Sequence, residues 1–65
     1  QNFMDSFFVK ITEVITITSL SRSTIYRLIN IGDFPAQVSI GRRQARWVKD
    51  EIVTWCEEKL LDSRQ

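Results

Sequence analysis

Between Ser19 and Pro35 the chain reads SLSRSTIYRLINIGDFP, and no other stretch restricts the possible folds as strongly. Ser21 offers a hydroxyl to the free N–H groups of a helix's first turn, and Gly32, just past Ile31, supplies a stop. Ile25, Leu28 and Ile29 keep the i, i+3, i+4 spacing of one apolar stripe. At about 100° per residue, Ser23, Tyr26, Arg27 and Asn30 fall on the opposite side, with Arg22 and Thr24 on its flanks. The spacing predicts a helix over Ser21–Asn30 with one core face and one polar face.

The segment FFVKITEVITIT upstream is open between two forms. Its β-branched content and the alternation in ITIT favour a strand, whereas Ile11, Val14 and Ile15 keep helical spacing and Thr12 and Glu13 could begin a helix. We place Phe7–Val9 in an extended lead-in and a short helix at about Thr12–Ile17. Downstream of GDFP the period changes to two: Val38 and Ile40 alternate with Gln37 and Ser39, and Ala45 and Trp47 with Gln44 and Arg46. The GRR between them predicts a hairpin with a basic tip. A last helix is expected from about Asp50 to Leu61, with Asp50 and Glu51 near its positive end and Ile52, Trp55, Cys56, Lys59 and Leu60 along one side.

Sixty-five residues, 43% apolar and 26% charged, describe one ordered domain. A chain of this size buries only about 60% of its unfolded surface, which leaves a thin core and little room for a deep catalytic pocket. The single cysteine cannot close an internal disulfide, and the lack of histidine removes the commonest metal ligand and general base. No apolar run approaches the roughly 18 residues of a membrane span, and no signal-peptide pattern is present. The expectation is a soluble cytoplasmic protein. We expect residues 1–6 to be a flexible N-terminal segment or remnant, 7–62 the domain and 63–65 a tail.

Charge is segregated along the chain. Up to Lys49, seven basic and three acidic side chains give a net +4; from Asp50 onward, two basic and five acidic give −3. Five of the first seven are arginine, whose forked donors suit phosphate and guanine edges. Two short helices joined by TSLS match a helix-turn-helix, in which the second helix enters the major groove. An amphipathic surface helix has polar residues outward in any case, but this face carries arginine, hydroxyls and a tyrosine with no acid before Asp33. Arg22, Ser23, Thr24, Tyr26 and Arg27 are therefore candidate DNA contacts. Arg42 and Arg43 at the hairpin tip are candidates for a wing on phosphates or a minor groove. Arg46 joins them, although two other roles are open to it: covering Trp47 with its stem or pairing with an acid of the last helix. Phe34, Trp47 and Trp55 are expected in the core, and Cys56 as a small buried hydrophobe. Glu57 and Glu58 point in different directions on a helix, which does not suit a catalytic pair.

SLSRSTIYRLINIGDFPAQVSIG followed by RQARWVKDEIVTW closely resembles the AlpA family of prophage and plasmid regulators, small winged helix-turn-helix proteins related to MerR DNA-binding domains and phage excisionases. The similarity runs from about Phe8 to Leu61. It implies a mainly α fold with a small β-hairpin, about three helices plus a two-stranded wing, and it implies that ITEVITIT holds the first helix. By position, it implies that Arg22, Ser23, Thr24, Tyr26 and Arg27 face DNA and that Arg42 and Arg43 form the wing. Ser19 departs from the family, which usually carries glycine at that turn.

The expected function is sequence-specific regulation of transcription on double-stranded DNA. Two alternatives stand beside it: an excisionase that bends attachment-site DNA, and an inhibitor module that docks on another protein through the acidic last helix. An enzyme is not expected, nor is a cofactor, metal, membrane or small-molecule substrate. A single such module buries roughly 600–1,000 Å² on DNA, so specificity calls for a dimer, neighbouring copies, or a partner such as an integrase or other regulator.

Overall fold

In a computed structural model, which describes residues 6–64, the stretch from Ser19 to Pro35 folds around one capped helix. Gln1–Asp5 of the expected N-terminal segment and Gln65 of the expected tail lie outside the described residues. The elements run β1 (Phe8–Val9), α1 (Ile11–Thr18), α2 (Arg22–Asn30), β2 (Val38–Ser39), β3 (Ala45–Val48) and α3 (Lys49–Ser63).

The ambiguous ITEVITIT is helical, and burial explains why its β-branched residues comply. Val14 is fully buried, with Ile11, Ile15 and Ile17 packed around the same core. The backbone N–H of Lys10 donates to Glu13 Oε1 at 2.8 Å and anchors the first turn. Thr16 and Thr18 turn their hydroxyls back onto the Thr12 and Val14 carbonyls, at 3.1 and 2.8 Å, so these groups stay within the helix. Apolar burial outweighs a propensity difference of a few tenths of a kcal/mol per residue.

Both ends of the connection to α2 are set by backbone chemistry. Ser19 caps α1 in the left-handed region, φ 62°, and donates its N–H to Ile15 O at 2.7 Å. This is the conformation for which glycine is the ordinary choice. Ser21 then caps α2, its Oγ accepting from the Thr24 N–H at 3.2 Å. At the far end Gly32, φ 78°, donates to Ile29 O at 3.0 Å while Asp33 donates to Leu28 O at 2.8 Å, the paired bonds of a Schellman motif.

The hairpin forms where the alternation places it, and a third strand joins it. β3 is central: Ala45 and Arg46 pair antiparallel with Ser39 and Val38 of β2, while Trp47 and Val48 pair with Val9 and Phe8 of β1. Lys49 adds an N–H···O bond to Phe7 at 2.9 Å. The extended lead-in thus becomes an edge strand, so the sheet has three strands where two were expected.

Val9, Val14, Ile25, Phe34, Trp47 and Ile52 form the core, one residue each from β1, α1, α2, the GDFP loop, β3 and α3. Leu60, expected along the same side of the last helix as Ile52 and Trp55, does not pack on the core and is 49% exposed. α3 is 15 residues long and α1 only 8, so its last turns extend past the elements it could pack on.

Left-handed geometry at two positions gives opposite expectations. Gly32→Ala should cost about 1 kcal/mol, because no neighbouring atom crowds the new methyl and only backbone strain is added. Ser19→Gly should gain up to about 1 kcal/mol, the relieved strain being partly offset by a freer unfolded chain. Urea midpoints measure both, and a loss on Ser19→Gly would contradict the account of that turn.

Candidate nucleic-acid interface

The polar face of α2 is assembled from its cap outward. Ser21 Oγ also donates to Thr24 Oγ1 at 2.9 Å and lies 3.3 Å from Ser23 Oγ, so three hydroxyls meet over the first turn. Thr24 is half-buried within this cluster, whereas Arg22, Ser23, Arg27 and Asn30 are exposed. Among the described residues no carboxylate pairs with Arg22, Arg27, Arg42 or Arg43.

Tyr26 sits differently from its place on the helical wheel. Its half-buried ring packs edge-to-face on Trp47, centroids 6.1 Å apart at 64°. Trp47 of β3 reaches that flank of α2, and a wheel drawn for one helix cannot show it. The aromatic pair couples the helix to the wing.

Ile40 donates to Gln44 O at 3.1 Å and closes a three-residue loop of Gly41, Arg42 and Arg43. Gly41 has φ 107° and Arg43 has φ 54°, so an arginine occupies the left-handed position of the tip. A non-glycine residue there costs roughly 1–2 kcal/mol. Ser39 Oγ steadies the turn by donating to Gly41 O at 3.2 Å. Both tip guanidiniums are exposed. Arg46 is half-buried beside Val38, and its Nη1 donates to Ala45 O at 2.9 Å, with no acid of α3 paired to it.

The loop from α2 to the wing is clamped by two indoles. Trp55 Nε1 donates to Asp33 O at 2.8 Å and Trp47 Nε1 donates to Pro35 O at 3.1 Å. Between them Phe34 is buried, edge-on to Trp55 at 4.7 Å. Lys59 lies 3.5 Å from Asp33 Oδ1 and 5.5 Å from the Trp55 ring centre. Sequence reading placed both tryptophans in the core; Trp47 is buried there, Trp55 is only half-buried against it, and the donor roles of both were missed. The available signal was that a buried indole N–H requires an acceptor.

Cys56 is half-buried, and burial, with Glu57 adding repulsion, pushes its thiol above the usual range. Among the described residues no group of three His, Cys, Asp or Glu could hold a metal, and no helix is long and apolar enough to cross a membrane.

Two short helices with a tight turn, the second capped and solvent-facing, and a three-residue-tipped hairpin define a winged helix-turn-helix domain. The chain belongs to the family of the prophage CP4-57 regulatory protein (AlpA), whose model matches residues 7–60. It is also 46% identical over 58 residues to "Uncharacterized protein ORF88" of Enterobacteria phage P4, a match covering 89% of this chain and 66% of that protein. The chain thus spans just under two thirds of the relative's length. No solved structure matches significantly.

The cap should be separable from its exposed neighbour. Ser21→Ala is expected to lower stability by about 1 kcal/mol, whereas Ser23→Ala stays within about 0.5 kcal/mol of the parent. Equal effects in urea melts would show that Ser21 does not carry the cap.

Proposed function

We propose that this chain is a sequence-specific DNA-binding regulator of phage or mobile-element type, with residues 7–62 as the binding domain. The observation that carries this reading is a pair of basic elements locked to one another. Arg22 and Arg27 on α2, and Arg42 and Arg43 on the wing, hold exposed guanidiniums with no carboxylate partner among the described residues. The Tyr26–Trp47 contact and the Trp47–Pro35 hydrogen bond fix the two elements together.

In this reading α2 enters the major groove. Arg22, Ser23 and Arg27 reach base edges and phosphates, while Thr24 and Tyr26 set the helix's start and seat. Arg42 and Arg43 reach the backbone or a minor groove, with Arg46 behind them at the base of the wing. Membership of a regulatory family supports the assignment. Occupying an operator or promoter is the simplest way such a module controls transcription, with a second copy or neighbouring copies supplying the area that one domain lacks.

Titration of labelled duplex at several salt concentrations tests the reading. Each phosphate contact steepens log K against log salt by about 0.9, so Arg27→Ala and Arg42→Ala should each flatten the slope by about 1. Arg43→Gly should weaken binding while leaving stability equal or higher by up to about 1 kcal/mol, because it relieves the left-handed backbone. A flat salt dependence, or affinity untouched by all three changes, would sink the proposal.

A further inference from the structure

Two hollows adjoin along the outer side of α3. One, about 460 Å³, is lined by Pro35, Asp50, Glu51, Thr54, Trp55 and Glu58. The next, about 400 Å³, shares Pro35, Trp55 and Glu58 and runs past Lys59 to Asp62. The result is one shallow groove with an apolar floor of proline and indole and a rim of carboxylates. The single ammonium on it, Lys59, is already paired with Asp33 at 3.5 Å and lies 5.5 Å from the Trp55 ring centre. The indole therefore already accepts one cation from its own chain.

The rim's charge decides the occupant. DNA is repelled by Asp50, Glu51, Glu58 and Asp62, so this face stays open while the basic elements are engaged. From Asp50 to Asp62 the helix rises about 18 Å, the reach of about five or six extended residues. We propose that the groove docks an extended basic segment of a protein partner, with arginine or lysine on the carboxylates and one apolar side chain against Pro35 and Trp55. That the partner sits beside this chain on DNA rests on the proposed function; the groove's chemistry does not.

The probe is the blocked pentapeptide Lys-Arg-Leu-Arg-Lys, followed in nitrogen-15 NMR spectra of the full chain. Saturable movement of the Trp55 indole and the Glu51 and Glu58 amides is expected, with the Trp47 indole still. Changing the peptide's leucine to serine should weaken binding at least threefold. Glu51→Lys with Glu58→Lys, both exposed positions, should weaken it at least tenfold with duplex binding equal or tighter, while the charge reversed at the α3 N-terminus lowers melting by only a few degrees. Equal binding of the leucine and serine peptides, indifference to charge reversal, or shifts spread over other faces would overturn the proposal. So would self-association, without peptide, that requires Arg42 and Arg43, since the groove would then belong to a second copy's wing. Peptide binding by a chain that binds no duplex would uphold the groove and remove the DNA reading instead.

Discussion

One buried indole, Trp47, ties the helical half of this domain to its sheet. It lies in the central strand, pairs with Val9 of β1, carries the Tyr26 ring of α2 on its face and donates its N–H to the Pro35 carbonyl. A chain of 65 residues has few other ways to hold a hairpin at a fixed angle to a helix. With a core drawn from five elements and one loop, each side chain has to bridge rather than merely fill. Trp55 repeats the device two residues earlier in the loop, holding the Asp33 carbonyl and meeting Phe34 edge-on. GDFP is consequently a rigid connector. The strand it feeds leaves at an angle set by two hydrogen bonds and one proline.

Local rules made much of this legible. Ser21, Gly32 and the Ile25–Leu28–Ile29 stripe sufficed to place α2, because caps and periodicity act within a few residues. The period-two run likewise placed the hairpin. β1 was not legible as a strand, since two residues carry little pattern and their partners lie near the other end of the chain. The choice between helix and strand for ITEVITIT turned on tertiary burial of Val14, which propensity cannot report. Tyr26 was misplaced for a related reason: its neighbour Trp47 belongs to another element. Leu60 failed because helical phase continues after the packing partner has ended.

Segregation of charge acquires a physical meaning in the fold. Arg22 and Arg27 lie on α2 and Arg42 and Arg43 at the wing tip, while Asp50, Glu51, Glu58 and Asp62 line the outer side of α3. In the proposed function, two regions of opposite sign let one small domain hold a polyanion while remaining unattractive to it elsewhere, which fixes orientation as well as affinity. Strain is placed consistently with this division. Among the described residues, the two non-glycine residues at positive φ are Ser19, in the turn that sets the two helices, and Arg43, at the wing tip. Each lies in a segment that positions the basic surface.

Mapping amide shifts of the isotope-labelled chain on adding a short duplex of arbitrary sequence tests the account most directly, since phosphate contacts need no known target site. The account predicts shifts concentrated at Arg22–Arg27 and at Gly41–Arg43, diminishing with added salt, and absent from the outer side of α3 between Asp50 and Asp62. Shifts centred on α3, or none on either basic element, would contradict it.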